Sequence, residues 1–577
     1  MSDSDFTPKL GRIRDPGRAR ALRHTQRVLG EAVKTRPLRR AGHINPNAFK
    51  RGLAQGAVSA SGLFVPGTRR VIVKARYTRQ QPGELGAARA HLRYIQRDGV
   101  TREGNPGRVY DAGSDDADGQ AFLERSEHDP HQFRFIVSAE DSERLTDLKP
   151  VIRDLMQQME RDLGTKLDWV AVDHFNTGHP HTHVLVRGRD ERGQDLVMAR
   201  DYIGHGIRAR AQDLVTLELG PETEIERIAK LTREVVQERF TLLDRSLMAR
   251  AKENVLAITA ADEADHSRHA LRVGRLKTLE RMGLAQERRP GVWQLDADLD
   301  GKLRRLGDRA DKIKMMQRAL AEAGLDRSAA GYALFDRGTR RQPLVGKVVG
   351  IGLVDEITDR HYVVVDGADA RVHYVELGRL KPDHVPVRDS IVRIAVDRLD
   401  GKPQSAPRLQ ILSRDEVGRL PAYDGPVWLD RLVATPDTSM QAARGFGAEL
   451  SRAVADRRAW LVTQDLGRMR DDGAFEMRTS AYARLRQREL QRVGQETAAR
   501  VRAPYQPASP GQQIQGRVGE TIAVPGGKIV VVHRAGDFTV VPWSRRLEQM
   551  RGREVVGTLG AHELMIGRTR GRIGPQR

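Results

Sequence analysis

The chain has 577 residues, too many for a single hydrophobic core, so several domains are expected. Lys and Arg number 98 against 77 Asp and Glu, and the net charge of +21 favours nucleic acid as the partner, with an anionic membrane surface as the alternative. The absence of cysteine excludes disulfides and thiolate chemistry, and the absence of a long apolar run or an apolar leader predicts a cytoplasmic protein without membrane insertion.

Residues 1–66 are basic and weakly patterned, which predicts a largely disordered arm. Residues 67–225 alternate strand and helix patterns. Strands are predicted in RRVIVKARY and at Phe133–Glu140, and helices at Glu84–Asp98 and over the apolar stripe from Leu148 to Leu163. This order predicts an α+β domain whose antiparallel sheet carries helices on one face and leaves the other open.

The remaining sequence predicts smaller modules. Residues 226–342 are mainly helical, and a basic helix at Leu271–Leu284 followed by a short strand is typical of a winged helix, with an ordinary amphipathic helix as the alternative. Residues 343–412 predict a small β-barrel or sandwich, and residues 413–502 a helical region. A Pro/Ser-rich linker at 503–513 precedes a second β module with a basic tail at 514–577, and no strict internal repeat is visible. The fold class is therefore multidomain α+β.

Four histidines lie within ten positions of the segment VDHFNTGHPHTHVLVRG, which spans residues 172–188. The Val-rich stretches Asp168–His174 and His181–Gly188 predict two strands, and the Asn, Gly and Pro between them favour a hairpin. Because side chains in a strand alternate, His181 and His183 share one face, and His174 can lie beside them. Three neutral imidazoles on one face predict a metal site with open positions, and a metal-free pair of solvated histidines is the alternative.

A metal site in so basic a protein indicates phosphoryl transfer on nucleic acid, with metal-bound water or a side chain as the nucleophile. The favoured side chain is Tyr94, near the end of the first predicted helix, because Arg93 and Arg97 would bind phosphate and favour the phenolate. Tyr77 and Tyr110 are rival candidates, and a packing role is the alternative for a tyrosine in this position.

The chain carries the segments HLRYIQRDG, FRFIVSAED and HFNTGHPHTH, in that order, within about residues 67–225. They resemble the three motifs of the P-type mobilisation relaxases, which are HUH-superfamily nucleases that include the T-DNA border nuclease. The resemblance implies an HUH-type fold, a catalytic Tyr94, a DNA contact from Ser138, and Mg²⁺ or Mn²⁺ as the metal. The ligands that it implies are His174, His181 and His183, which leaves His179 as a loop residue.

One position departs from the motif. Many relatives have Asp where this chain has Asn176, and a carboxylate there would orient an imidazole or accept the tyrosine proton. Asn176 can orient but cannot act as a base. Asp173 lies beside His174 in the sequence, but strand alternation points it to the other face. Beyond residue 226 the chain resembles the uncharacterised C-terminal region of rhizobial-type plasmid relaxases.

The resemblance implies a site- and strand-specific relaxase that nicks and rejoins single-stranded DNA at a plasmid transfer origin through a 5′-phosphotyrosyl intermediate. It also implies accessory relaxosome proteins, a type IV coupling ATPase, and translocation with the DNA strand from a bacterial cytoplasm. The alternatives are a non-catalytic DNA-binding protein with a vestigial metal site, a hydrolytic metallonuclease that uses metal-bound water, and a replication initiator of the same superfamily.

Overall fold

The computed structural model describes most of the chain beyond the N-terminal arm. The described residues are 67–80, 85–97, 99–175, 180–258, 266–355, 358–381, 384–399, 402–403, 406–434, 443–560 and 563–566. The predictions made for the arm at 1–66, for Asn176 and His179, and for the tail from 567 onward therefore lie outside the described residues. The described part combines α-helices with several antiparallel sheets, which confirms the predicted multidomain α+β class.

The first domain is built on a four-stranded sheet in the order β1-β2-β4-β3, in which every neighbouring pair is antiparallel. The strands are β1 (Val71–Arg79), β2 (His131–Ala139), β3 (Trp169–His174) and β4 (His181–Arg187). The helices are α1 (Gly86–Ile95), α2 (Gly119–Arg125), α3 (Lys149–Leu163) and α4 (Ile207–Leu219). The predicted hairpin of β3 and β4 is confirmed, since His174 pairs with His181.

Both faces of this sheet carry helices, so the prediction that helices cover only one face is wrong. Helices α3 and α4 pack on the face that presents Phe133, Phe135 and Ala171. Helices α1 and α2 pack on part of the opposite face, against Val172 and Leu185. Strand alternation places these two apolar residues on the same face as the histidines. Packing against α1 and α2 removes them from water, which is favourable for apolar side chains.

A small helical module follows the sheet domain. Its elements are α5 (Glu224–Val235), α6 (Leu242–Arg250), β5 (Val255–Ala257), α7 (His266–Arg281), β6 (Ala285–Arg289), β7 (Val292–Leu295) and α8 (Leu299–Glu322). The three strands form one sheet in the order β5-β7-β6. The helix followed by a β-hairpin that the sequence predicts is therefore present in α7, β6 and β7.

A six-stranded, mostly antiparallel sheet and a second helical module come next. The sheet holds β8 (Tyr332–Leu334), β9 (Leu344–Asp355), β10 (Arg360–Gly367), β11 (Val372–Arg379), β12 (Ile391–Ala395) and β15 (Arg408–Ser413), and β13 (Arg398–Leu399) and β14 (Lys402–Pro403) form a separate pair. The helical module holds α9 (Leu429–Ala434), α10 (Gly445–Thr463), β16 (Gly467–Met469), β17 (Phe475–Met477) and α11 (Ala481–Val501).

The last module is a five-stranded sheet with one short helix. Its elements are β18 (Gln513–Val524), β19 (Gly527–His533), β20 (Phe538–Pro542), α12 (Arg545–Gln549), β21 (Glu554–Leu559) and β22 (Leu564–Ile566). Within the described residues neither this sheet nor the six-stranded one closes, so the predicted barrel is wrong. Each open sheet instead packs a helix against one face: α8 on the first and α11 on the second.

The C-terminal half contains the same topology twice. Each copy has a short helix, a long helix, a β-hairpin, another long helix and an open sheet. In both sheets the long first strand is central, with the second and third strands on one side and the fourth and fifth on the other, as the orders β15-β12-β9-β10-β11 and β22-β21-β18-β19-β20 show. The repeat that the sequence does not display at the level of residue identity is therefore present in the fold.

A buried ion pair occupies the same place in each copy. Arg275 of α7 contacts Asp244 of α6 at 2.8 Å, and Arg457 of α10 contacts Asp430 of α9 at 2.8 Å. Each arginine also donates to backbone carbonyls of the loop that leads into the short helix, for example that of Gln237 in the first copy. These hydrogen bonds satisfy the buried guanidinium and fix the loop.

The stretch 503–513, predicted as a linker, packs along the last sheet. The rings of Tyr505 and Phe538 are in contact with centres 5.7 Å apart, and the Gly511 amide donates to the carbonyl of Leu559. Among the helices of the described residues, none combines the length and the apolar character needed to cross a membrane.

Candidate metal centre

The β3–β4 hairpin brings three histidine side chains together. His174 is the last residue of β3 and pairs with His181, the first residue of β4, while His183 lies across from Val172. All three imidazoles are buried on the same face of the sheet. The nitrogen atoms that they offer lie within 4.8 Å of one another, and the ring centres of His174 and His183 are 4.4 Å apart. The convergence predicted from strand alternation is thus present.

One nitrogen of His174 is held by the backbone and the other is left for a ligand. Its Nε2 donates to the carbonyl of Ile95, the last residue of α1, at 2.7 Å. Its Nδ1 is buried and has no hydrogen-bond partner among the described residues. Because a backbone carbonyl only accepts, Nε2 carries the proton and Nδ1 presents its lone pair.

Burial also fixes the charge of this histidine. Burial, together with the neighbouring His183 and Arg97, lowers the pKa of His174 to about 2, so the ring is neutral at physiological pH. A neutral imidazole with an unpartnered buried lone pair is costly unless a cation or a donor meets it. The three residues therefore fit a divalent metal ion, with the hydrogen bond to Ile95 acting as the support that ligating histidines commonly have.

Of the three candidate tyrosines, only Tyr94 lies on the histidine side of the sheet. It is half-buried near the end of α1, directly before the residue whose carbonyl holds His174. Tyr77 lies on the opposite face, against Phe133, and Tyr110 is fully buried there and donates to Asp173 at 2.9 Å. Burial raises the pKa of Tyr110 well above its usual value, which makes this phenol a poor nucleophile.

A cleft of about 910 Å³ connects Tyr94 with other predicted residues. Tyr94, Arg97, Ser138 and His181 all line it. The Arg97 guanidinium lies 4.1 Å from the centre of the Tyr94 ring, and Ser138 donates to the carbonyl of Pro180 at 3.3 Å, beside the first β4 histidine. Arg93 has an exposed side chain and is not among the lining residues, so the structure does not bring it to this group.

Asp173 does not supply the carboxylate that this chain lacks at position 176. It lies on the face away from the histidines, where it accepts hydrogen bonds from Tyr110 and from Thr182 at 2.6 Å. Burial raises its pKa to about 6. The prediction that strand alternation points Asp173 away from the metal site is therefore confirmed, and Asn176 lies outside the described residues.

Three residues near the site were missed by the sequence analysis. His91, three positions before Tyr94 on α1, is buried with its ring edge towards His183 at 6.4 Å between centres, and burial lowers its pKa to about 4. Its Nδ1 bonds at 2.9 Å to Asp359, which also accepts from the buried Arg134 at 3.0 Å. The helical spacing of His91 and Tyr94 is a signal for the first residue, but nothing in the sequence relates Asp359 to a helix that lies 268 positions away.

Comparison with known proteins identifies the C-terminal half. A search of curated proteins finds no match. A family model described as a protein of unknown function, DUF3363, matches residues 272–406 and 395–573. The matched stretches together span just over half of the chain and begin after the histidine hairpin, so they carry no information about the metal centre. The chain belongs to the DUF3363 family of proteins of unknown function.

Proposed function

We propose that this protein is a DNA relaxase that nicks and rejoins one strand of a plasmid transfer origin. The observation that carries the proposal is that Tyr94 lines the same basic cleft as His181, which belongs to a buried cluster of three histidines. A phenol nucleophile, a site that fits a cation and surrounding positive charge are the components that transesterification of a phosphodiester requires.

Tyr94 is the nucleophile in this proposal. Its phenolic oxygen forms a bond to phosphorus, the bond from phosphorus to the 3′ oxygen breaks, and that oxygen takes up the proton that the phenol has lost. The product is a 5′-phosphotyrosyl link and a free 3′ hydroxyl, and the reverse reaction rejoins the strand. Arg97, 4.1 Å from the Tyr94 ring, favours the phenolate and binds the phosphate.

His174, His181 and His183 would hold the metal ion. When bound there, a divalent cation stabilises the charge that develops on the non-bridging phosphate oxygens. Mg²⁺ prefers oxygen ligands, whereas imidazole nitrogens suit transition metals, so of the two predicted ions this donor set favours Mn²⁺. Ser138, which also lines the cleft, would contact the DNA strand.

The partners follow from the same proposal. A relaxase acts with accessory DNA-binding proteins of the relaxosome and is delivered, with its strand attached, to a type IV coupling ATPase. This assignment places the protein in a bacterial cytoplasm before its translocation. The net charge of +21 supports an anionic partner but does not discriminate among nucleic acids.

The test is a covalent-adduct assay. The full chain is incubated with Mn²⁺ and a single-stranded DNA library that has a randomised core and a 3′ label, and the products are separated under denaturing conditions. We expect a labelled protein–DNA adduct with the wild type, no adduct with Tyr94→Phe, and an unchanged adduct with Tyr77→Phe, since Tyr77 lies on the other face.

Other outcomes identify the alternatives. Cleavage without an adduct that persists in Tyr94→Phe would indicate a hydrolytic metallonuclease that uses metal-bound water. Binding of DNA without cleavage in Mn²⁺, Mg²⁺ or Zn²⁺ would indicate a DNA-binding protein with a vestigial site. Either result overturns the proposal.

A further inference from the structure

The cleft beside the histidine cluster has two walls from different parts of the chain. One wall is the histidine face of the four-stranded sheet together with the end of α1. The other comes from the first repeat of the C-terminal half, through α8, β9, β10 and the turn before β12. The lining residues of this wall that matter below are Arg318 and Glu322 of α8, Gly352 of β9, Tyr362 of β10, and Arg388.

Polar contacts of Asp359 with His91 and Arg134, here called the clasp, connect the second wall to the first. Asp359, in the turn between β9 and β10, bonds to His91 at 2.9 Å and to Arg134 at 3.0 Å. Burial opposes ionisation of this carboxyl, but the hydrogen bond from His91 and the charge of Arg134 keep its pKa below the usual value. The charged carboxylate therefore ties the C-terminal half to the sheet immediately next to the metal ligands.

The charge of the cleft suits a polyanion. Within the described residues five cations line it and two carboxylates oppose them. The cations are Arg70, Lys74, Arg97, Arg318 and Arg388, and the carboxylates are Glu140 and Glu322. Arg318 and Arg388, on the C-terminal wall, both contact Glu322, at 2.8 and 2.9 Å, so two of the cations that line this wall share one lining carboxylate.

The C-terminal wall also presents a rigid aromatic ring. Tyr362 stacks on Tyr374 with ring centres 4.9 Å apart and planes at 21°. Its ring lies so close to Gly352 that a β-carbon there would approach it to 2.7 Å. A tyrosine fixed in this way provides a surface on which a nucleic-acid base can stack at low entropic cost.

We propose that the first C-terminal repeat forms the second wall of a single-stranded DNA channel that leads to Tyr94. Arg318 and Arg388 bind backbone phosphates of the strand, and Tyr362 stacks on one of its bases. A cleft of about 910 Å³ has room for a few nucleotides of an extended strand. This inference rests on the proposed relaxase function and assigns a role to part of the DUF3363 half.

The experiment measures binding and reaction separately. Binding of a fluorescent single-stranded oligonucleotide is followed by anisotropy over a range of salt concentrations, with Tyr94→Phe in every protein so that no adduct forms. We compare R318E/R388E with R304E. Arg304 lies on the same helix and makes an equivalent (i, i+4) ion pair, with Asp300, on a similarly exposed surface, but it is not among the residues that line the cleft.

We expect the R318E/R388E pair to weaken binding at least tenfold, and R304E to leave it within twofold. Loss of two phosphate contacts should also reduce the slope of log affinity against log salt by about 1.4, since each contact to a single strand contributes about 0.7. Tyr362→Leu should weaken binding about tenfold without changing this slope, because stacking carries no counterion release.

Adduct formation, measured with Tyr94 restored, separates the two proposals. If the wild type forms the adduct, and R318E/R388E binds DNA and forms the adduct to the same extent as the wild type, the channel proposal is wrong and the relaxase proposal stands. If binding depends on Arg318 and Arg388 but no adduct forms, the channel stands and the relaxase is wrong. Tighter binding or a faster reaction in R318E/R388E would show that this wall excludes DNA, which also overturns the channel.

Discussion

His174 illustrates how burial prepares a single residue for its proposed role. The imidazole of His174 is buried and uncharged, and its Nδ1 has no hydrogen-bond partner among the described residues. The hydrogen bond from Nε2 to Ile95 selects the tautomer, and the same peptide segment carries Tyr94. Adjacent residues of α1 therefore position His174, the proposed ligand, and Tyr94, the proposed nucleophile, so a shift in one would move the other.

The lowered pKa of His174 predicts a pH dependence of stability. Its pKa is 6.5 when exposed and about 2 in the fold, so between these values the unfolded chain binds the extra proton. The contribution of neutral His174 to the free energy of unfolding is therefore fully present above pH 6.5 and is lost as the pH falls below that value. In metal-free protein we expect the free energy of opening β3 and β4 to fall by roughly 2–3 kcal/mol more between pH 7.5 and pH 4.5 in the wild type than in His174→Asn.

Hydrogen exchange of peptides from β3 and β4, corrected for intrinsic rates, measures this difference. The lowered pKa of His91 and the raised pKa of Asp173 have opposite effects, but both groups are present in the two proteins, so their contributions cancel in the comparison. Equal pH dependence in the two proteins would contradict the assignment of a neutral, buried His174.

At the scale of elements, the repeated Asp–Arg pair is the device that organises each C-terminal copy. In the second copy, Asp430 accepts a hydrogen bond from the backbone amide of Val427 and thereby caps the start of α9. The same carboxylate also pairs with Arg457 of α10. One carboxylate thus stabilises a helix start and fixes the packing of a second helix, and the first copy has the same arrangement around Asp244.

Removing the carboxylate should be far more costly than removing an exposed one. Asp430→Ala leaves Arg457 buried without its counter-charge and should lower the free energy of unfolding of this module by about 3–5 kcal/mol. Glu476→Ala removes the exposed partner of Arg468 and should cost less than about 1 kcal/mol. Urea unfolding followed by exchange of the α10 peptides distinguishes them, and similar costs would show that Arg457 finds water or another partner.

The elements near the site were largely predictable because their signals are local. Val-rich stretches, alternating histidines and the Asn, Gly and Pro of the turn are enough to predict β3, β4 and the shared face. The repeat was harder to recognise because the two copies share a pattern of charge and apolar residues more than identities. The short segments Leu243–Arg245 and Leu429–Arg431 both read Leu-Asp-Arg, which is the signal that could have revealed it.

At the scale of the whole molecule, a residue from the other half of the chain contacts the face of the sheet that carries the histidine cluster. Asp359 adopts a left-handed backbone conformation, with φ of 54°, in the turn that reaches His91 and Arg134. No local pattern could predict this contact, because it depends on how two separately folded parts dock. The open sheets are a similar case: strand patterns predict the strands but not whether the first and last of them meet.

Neutralising Asp359 should loosen the docking of the two halves. Asp359→Asn keeps the side-chain shape and suits the left-handed conformation, but it removes the charge that faces the buried Arg134. We expect hydrogen exchange to rise in α1 and in the β9–β10 turn, and the thermal transitions of the two halves to separate. Asp389→Asn is the matched control, since Asp389 also has a positive φ, of 65°, but pairs with the backbone of Val348.

Unchanged exchange in Asp359→Asn would mean that apolar packing alone holds the halves together. An increase that is equal in the two variants would mean that the turn conformation matters and the ion pair does not. Either result would show that the ion pair of Asp359 does not hold the two halves together, although the geometry of the histidine cluster would be unaffected.

The most direct measurement is to identify the residue that carries DNA. Full-length protein is incubated with Mn²⁺ and the labelled single-stranded library, digested with nuclease and protease, and analysed by tandem mass spectrometry. We expect a nucleotide joined through its 5′ phosphate to Tyr94 and to no other tyrosine. A nucleotide on Tyr77 or Tyr110, or cleaved DNA with no modified peptide, would contradict it.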